Sequence, residues 1–158
     1  MTTDLLIRAA ALLTVLGAGA VYGTDVFCAM VLRPALSRIE DTALVAVTGY
    51  IHRYADRRMP VPGVLGIIAA AIATVAAAAA GHWVQTVAAG TALTALLIWL
   101  LVYTQISAPI NRQLTAAAET GQSLPTGRAL QVKWDSMITA RAALQGLAVT
   151  AACLALMA

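Results

Sequence analysis

The chain of 158 residues is 61% apolar and only 11% charged, whereas soluble domains average roughly 45–50% apolar and 25% charged residues. A soluble fold of this length would lack the polar surface to cover so much apolar material, so the composition excludes an ordinary soluble enzyme and predicts one integral membrane domain over residues 1–158. The net charge of +3 does not indicate nucleic acid binding, because Lys and Arg beside membrane spans report orientation instead.

The first predicted element is a membrane span at about residues 9–32. The segment is apolar apart from one acidic residue, and Arg33-Pro34 follows it with a charge and a helix-breaking residue. Gly19 and Gly23 have the small-residue spacing that lets two helices approach closely in lipid. We expect the first span to end near Pro34 and to pack tightly through these glycines.

The next segment, Asp41–Arg58, is predicted to be an amphipathic helix in the first connection between spans. Its apolar residues recur at helical spacing: Leu44, Val47, Ile51 and Tyr54. Such a face is typical of a helix at a membrane surface. We expect it either to lie under the bundle or to extend the second span below the break at Pro60 and Pro62.

Residues 59–111 carry no formal charge and are interrupted only by Gly81-His82. Because a span needs about 20 residues, this stretch predicts a helical hairpin with spans at about 61–80 and 83–107. Gly81 suits the C-terminal cap of the first arm.

The last predicted span covers about residues 136–157. Thr126 can cap the helix that leads into it, and no charge follows Arg141. The predicted fold class is therefore all-α, an integral membrane bundle of four transmembrane helices.

Cations are concentrated in the two connections that follow the first and third spans: Arg33, Arg38, Arg53, Arg57, Arg58, Arg112, Arg128 and Lys133. The opposite side has only Arg8. Under the positive-inside rule, both connections face the cytoplasm and both the N and C termini lie outside. The sequence thus predicts a multi-pass protein of the plasma (inner) membrane with the lipid bilayer as its partner, and it leaves a homo-oligomer open.

Two ionisable residues, Asp25 and Arg141, lie at matching depths within the predicted first and fourth spans. Asp25 is roughly 12 Å from the cytoplasmic end of its span at 1.5 Å per residue. A charge at this depth costs roughly 2.5–3.5 kcal/mol, so the two side chains should point inward and pair. The pair either only ties the two spans together or belongs to a functional site.

Polar and aromatic stripes on spans three and four reach the same depth as Asp25. They consist of Trp99, Tyr103, Ser107 and Asn111 on span three and Trp134, Arg141 and Gln145 on span four. Trp134 and Tyr103 taken singly are also compatible with an interfacial aromatic belt. Together the stripes predict a pocket for a hydrophobic small molecule. Its candidate binding residues are Tyr22, Trp99, Tyr103, Asn111, Trp134 and Gln145.

His52 lies in the first cytoplasmic connection, with Asp56 one helical turn later to orient it. It can reach the mouth of the pocket as a general base or proton shuttle, or it is a solvated surface histidine. His82 lies in the external turn, and Cys28 and Cys153 fall at different depths, so no cluster of ligands for haem or a metal is formed. The sequence predicts neither a metal nor a cofactor.

The motifs of this chain resemble those of the anthrone oxygenase family of small four-span membrane proteins. The matching pieces are Gly19, Gly23 and Pro34, then Pro109-Ile110-Asn111 after span three, and Trp134-Asp135 through Arg141 at the start of span four. The likeness extends over nearly the whole chain.

The resemblance implies oxidation of a hydrophobic phenolic or anthrone-type substrate by dioxygen without a metal or organic cofactor. A carbanion left by removal of an acidic C–H proton can pass an electron directly to dioxygen, so the protein needs only a base, an oxyanion partner and an apolar pocket. The implied base is His52 rather than Asp25, because pairing with Arg141 makes the carboxylate a weak base. The implied binding groups are Arg141 and Asn111 for the phenolate oxygens and Trp134 and Tyr103 for the rings.

Two other functions stay open from the sequence. A four-span chain with one acidic residue in its first span is also the layout of small proton-coupled exporters, in which Asp25 would carry the proton. A non-enzymatic membrane accessory subunit would use the Ala- and Gly-rich faces to bind partner helices.

Overall fold

The computed structural model describes residues 2–158, which form an all-helical fold. Its helices are α1 (Thr2–Leu36), α2 (Asp41–Arg58), α3 (Pro60–Ala79), α4 (Trp83–Thr120) and α5 (Gly127–Met157). All of them except α2 are long and apolar enough to cross a membrane, by length and composition. The predicted all-α class with four candidate spans, and the separate helix that begins at Asp41, are thereby confirmed.

Glycines in the left-handed conformation end α3 and α4. Gly81 has a φ of 73° and Gly121 a φ of 63°, values at which other residues are strained. Behind Gly81, the N–H of His82 donates to the carbonyl of Ala77 at 2.9 Å, which satisfies one of the carbonyls that a helix end leaves open. Gly81 is therefore the cap predicted from the sequence.

Two π-helical turns of five residues interrupt α1 and α4, at Cys28–Leu32 and Tyr103–Ser107. Each is followed two residues later by a proline, Pro34 or Pro109. The proline ring lacks an N–H and clashes with the carbonyl one turn earlier in a regular α-helix, and the wider π turn gives it room. Both helices consequently continue past their prolines. The first ends at Leu36, close to Pro34 as expected, whereas α4 continues to Thr120, beyond the predicted span 83–107.

Contacts between residues divide the chain into two units. Unit 1 comprises the chain up to Gly23 together with Val61–Leu100 and Ala143–Ala158. Its buried core consists largely of alanines, and its sequence carries no formal charge apart from Asp4 and Arg8. Close backbone packing of small residues is the expected way to associate helices in lipid.

A close backbone contact joins α1 to α3 within unit 1. A Cβ added to Gly17 would lie 2.6 Å from the carbonyl oxygen of Pro62 and 2.9 Å from the backbone nitrogen of Gly66. Around Gly19 and Gly23, in contrast, no described atom lies within 4 Å of an added Cβ. The expectation that these two glycines form the tight contact is wrong, because a different side of α1 faces α3.

Unit 2 comprises Thr24–Pro60 and Leu101–Ala142, and it carries all the other charged residues of the sequence. The largest buried apolar side chains in its core are Leu44, Leu114, Ile110, Ile138, Leu36 and Trp134. The ionisable candidates from the sequence all belong to this unit: Asp25, His52 and Arg141.

Helix α2 runs antiparallel alongside the C-terminal part of α4, since Gly49 lies beside Leu114 and Asp56 beside Tyr103. A Cβ added to Gly49 would lie 2.4 Å from the carbonyl oxygen of Leu114, so this glycine fixes which side of α2 is covered. The buried residues of α2 are Leu44, Val45, Thr48, Gly49 and His52. The exposed side carries Val47, Tyr50 and Tyr54. Of the apolar face predicted from hydropathy, Leu44 is buried and Ile51 partly buried, whereas Val47 and Tyr54 are exposed.

Candidate functional site

A buried ion pair joins α1 to α5 in unit 2. Nη2 of Arg141 donates to Oδ1 of Asp25 at 2.8 Å, and Nη1 of the same guanidinium donates to Oγ of Ser107 at 2.9 Å. Asp25 is 2% exposed and Arg141 is 6% exposed. The structure thus brings together the two charges whose matching depth predicts a pair, and the pairing compensates the cost of removing each from water.

Two aromatic rings flank the guanidinium of Arg141. Its Cζ lies 5.4 Å from the ring of Trp134 and 5.7 Å from the ring of Tyr103, distances at which the negative ring faces attract a cation. Tyr103 and Ser107 are the first and last residues of the π turn in α4. Since π turns occur frequently at functional sites, this turn is a signal that periodicity of apolar residues does not reveal.

Asp56 of α2 ties a second group of polar side chains to this cluster. Its Oδ1 accepts hydrogen bonds from Oη of Tyr103 and from Nδ2 of Asn111, both at 2.9 Å. The spacing of one helical turn predicts that Asp56 orients His52, whereas in the structure its carboxylate connects α2 to α4. The side chains at positions 103 and 111 share this partner because they are eight residues apart and so face the same side of α4.

His52 is buried against the aromatic part of the cluster and is not a solvated surface residue. The residue is 5% exposed, and its ring lies 5.3 Å from that of Trp134 at a tilt of 51°. Burial, with a smaller contribution from the charge of Arg141, lowers the pKa of His52 from 6.5 to about 4. The imidazole is therefore neutral at pH 7, and its Nε2 has no hydrogen-bond partner among the described residues.

Further buried side-chain atoms of unit 2 lack a hydrogen-bond partner among residues 2–158. Those on uncharged side chains are Nε1 of Trp134, Oδ1 of Asn111 and Oε1 of Gln131. A buried polar atom left without a partner costs about 1–3 kcal/mol. Unit 2 therefore buries one indole N–H donor, two amide oxygen acceptors and a neutral imidazole nitrogen without a hydrogen-bond partner among the described residues.

The remaining candidates lie in unit 1. Trp99 is buried there beside Gly63, whose added Cβ would lie 3.5 Å from the indole ring. The ring of Tyr22 lies against Gly146. Gln145 is fully buried, and neither of its side-chain polar atoms has a partner among the described residues. The structure therefore gathers six of the predicted residues in unit 2, namely Asp25, His52, Tyr103, Asn111, Trp134 and Arg141.

Over residues 2–158, no group of three or more His, Cys, Asp and Glu side chains is positioned to hold a metal ion. Both cysteines have free thiols, with Cys28 buried and Cys153 partly buried. The polar groups of the cluster in unit 2 are an arginine, two carboxylates, amides, hydroxyls, an indole N–H and one imidazole, a set that suits hydrogen bonding to an oxygen-bearing organic ligand.

Burial of His52 predicts a contribution to stability that depends on pH. The pKa is about 4 in the folded chain and 6.5 for an exposed imidazole, so between these values the unfolded chain binds more protons. The contribution of His52 to the free energy of unfolding should therefore rise by roughly 3 kcal/mol from pH 4 to pH 6.5 and stay level above that. Unfolding of the detergent-solubilised chain and of His52→Gln across this range measures the difference, and parallel pH curves for the two proteins contradict the prediction.

Comparison of the chain with protein-family models, with curated proteins and with solved structures finds no match. The function of the cluster in unit 2 has to be inferred from its chemistry.

Proposed function

We propose that this chain is a multi-pass protein of the plasma (inner) membrane that oxidises a hydrophobic phenolic or anthrone-type substrate with dioxygen, without a metal or organic cofactor. In the proposed orientation both termini lie outside and α2 lies on the cytoplasmic side. The four apolar helices support membrane insertion. The concentration of cations in unit 2 supports the orientation, because cationic segments are retained in the cytoplasm.

The observation that carries the proposal is a buried guanidinium, held by a carboxylate and flanked by two aromatic rings, next to a neutral histidine with an available nitrogen. Arg141 supplies positive charge for a phenolate oxygen, while Trp134 and Tyr103 offer ring faces to a polycyclic substrate. Oδ1 of Asn111 is available to accept a hydrogen bond from a substrate hydroxyl. Asp25 acts as a positioning residue, since its carboxylate holds Arg141.

His52 is the proposed base. Its low pKa makes it a weak base toward bulk water, but proton transfer from the substrate creates an imidazolium and a substrate anion together. Each charge then stabilises the other in a buried setting where such attraction is strong. Proton transfer to His52 also leaves the substrate anion near Arg141. Both side chains pack on Trp134, whose ring lies 5.4 Å from Cζ of Arg141.

The proposed reaction converts a ring methylene and dioxygen into a ring carbonyl and water. His52 removes one C–H proton, and the resulting carbanion passes one electron to dioxygen, giving a carbon radical and superoxide that combine into a peroxide on carbon. Protonation of the outer oxygen, loss of the second C–H proton and cleavage of the O–O bond then leave the C=O group and release water. The methylene carbon loses four electrons and dioxygen gains four, so the reaction is balanced without another oxidant.

Oxygen consumption tests the proposal. The purified full chain in detergent or nanodiscs, supplied with anthrone, should consume one dioxygen per anthraquinone formed at a rate well above the spontaneous oxidation. The matched control is the same preparation after heat unfolding. A rate equal to the spontaneous one, with anthrone and with other phenolic substrates that carry a ring methylene, contradicts the proposed activity.

A proton-coupled exporter is the second candidate, and the observation in its favour is the buried carboxylate of Asp25 within α1. The contact with Arg141 weighs against it, because the carboxylate already has a cationic partner within the protein. Transport of a hydrophobic cation by reconstituted liposomes, driven by an imposed pH gradient and abolished in Asp25→Asn, would support the exporter in place of the oxygenase.

A further inference from the structure

On the exposed side of α2, apolar and aromatic side chains are followed by two arginines at the C-terminal end of the helix. Val47, Tyr50 and Tyr54 are 44%, 46% and 51% exposed, and Arg57 and Arg58 follow them on the last turn. The spacings of three and four residues place them along one side of the helix. We call these five residues the outward stripe of α2. It changes from aliphatic to phenolic to cationic along the helix.

The two arginines of the outward stripe have no carboxylate partner among the described residues, in contrast to Arg53 and Arg128 and in common with the exposed cations Arg33, Arg38, Arg112 and Lys133 of unit 2. Arg53 pairs with Glu119 at 2.6 Å, and Arg128 pairs with Asp41. Arg57 and Arg58 are exposed and form no ion pair with any residue in the described range 2–158. The guanidinium carbon of Arg58 lies 5.3 Å from the ring centroid of Tyr54, a distance at which the ring face attracts the cation.

An anionic phospholipid surface fits this arrangement of side chains. Tyrosine favours the level of the headgroups, where its ring is in apolar surroundings and its hydroxyl is in water. Arginine binds phosphate through two parallel N–H donors and is attracted to anionic lipids. Pure hydrocarbon is an unsuitable environment because two unpaired guanidinium groups would have to be buried in it.

We propose that the outward stripe of α2 binds the headgroups of anionic phospholipids of the inner leaflet, with Arg57 and Arg58 on the phosphates. This inference rests on the proposed membrane orientation and does not depend on the oxygenase reaction. Asp56, between the stripe and the cluster, accepts hydrogen bonds from Tyr103 and Asn111. Lipid bound to the stripe would therefore contact the same turn of α2 whose Asp56 contacts the candidate site.

Lipid binding to the delipidated full chain in detergent, followed by native mass spectrometry, tests the proposal. Phosphatidylglycerol should bind at least about 10-fold more tightly than phosphatidylcholine, and Arg57→Gln/Arg58→Gln should weaken phosphatidylglycerol binding about 30-fold. Arg53→Gln/Arg128→Gln is the matched control, because it removes the same charge from arginines that are already paired. That control should change binding less than about 3-fold.

Three results would overturn the inference: equal affinity for the two lipids, loss of binding in the control equal to that in Arg57→Gln/Arg58→Gln, or displacement of the lipid by an equal concentration of inorganic phosphate. Both arginines are exposed, so their replacement leaves the core of unit 2 intact, and circular dichroism of the variant verifies this. Oxygen consumption measured on the same samples separates the two proposals. Normal turnover without lipid selectivity contradicts only the lipid site, and lipid selectivity without turnover contradicts only the oxygenase.

Discussion

Replacing Arg141 by alanine is expected to lower the free energy of unfolding by about 3–5 kcal/mol, because it leaves the carboxylate of Asp25 buried without its cation. Asp25 is 2% exposed and receives a hydrogen bond of 2.8 Å from this guanidinium. The variant also loses the donor to Ser107 and the contacts with two aromatic rings. Denaturant unfolding of the detergent-solubilised chain, followed by circular dichroism, measures the loss.

Two further variants separate the buried charge from the lost packing. Asp25→Asn/Arg141→Gln removes both charges and should be more stable than Arg141→Ala, because no ion is left unpaired in the core. Arg128→Ala breaks the pair with Asp41, whose side chain is 64% exposed, and should cost no more than about 1 kcal/mol. If Arg141→Ala costs as little as Arg128→Ala, the pair with Asp25 does not stabilise the fold.

The ion pair and the hairpin are the features that the sequence predicts well, and for related reasons. A charge in a long apolar helix is so costly that a second charge of opposite sign at the same depth has to be its partner. An uncharged stretch of twice the length of a span, with a glycine at its middle, has to fold back on itself. In both cases one large free-energy cost decides the outcome. That cost can be inferred from the sequence positions of Asp25, Arg141 and Gly81.

The sequence does not predict which side of α1 or of α2 packs against a neighbouring helix. Gly49 brings α2 within backbone contact of α4, and this close approach rotates the apolar residues Val47 and Tyr54 outward. Gly17, and not the glycine pair in the small-residue motif, faces α3. Which glycine is used depends on the rotation of the whole helix about its axis, and neither spacing nor composition fixes that rotation.

The sequence predicts six side chains that the structure places together in unit 2, but it does not predict the contacts among them. The sequence places Asp56 one turn from His52, yet its carboxylate accepts hydrogen bonds from Tyr103 and Asn111. These partners depend on the register of α2 against α4, a contact between segments far apart in sequence. The π turn that presents Tyr103 is likewise invisible to apolar periodicity, although Pro109 two residues beyond it is a usable signal.

His52→Gln is expected to reduce the turnover number of anthrone oxidation by about 10²–10⁴-fold, the usual contribution of a positioned general base. Glutamine keeps a polar side chain of similar length but cannot take up the proton of the substrate. The Michaelis constant should change little, since the proposed binding groups are Arg141, Trp134 and Tyr103. Steady-state oxygen consumption against anthrone concentration separates the two constants.

The matched control for this variant is His82→Gln, which alters the other histidine of the chain, in unit 1. His82 contacts Oε1 of Gln85 at 2.8 Å, and its side chain is 42% exposed, so its replacement should leave turnover unchanged.

His52 acts as a base only in its neutral form, and its pKa is about 4. The protonation of His52 should therefore leave wild-type turnover constant between pH 6 and 8 and lower it as the pH approaches 4. A turnover of His52→Gln within a few-fold of the wild type would remove His52 from the reaction and return the role of the base to the carboxylate of Asp25.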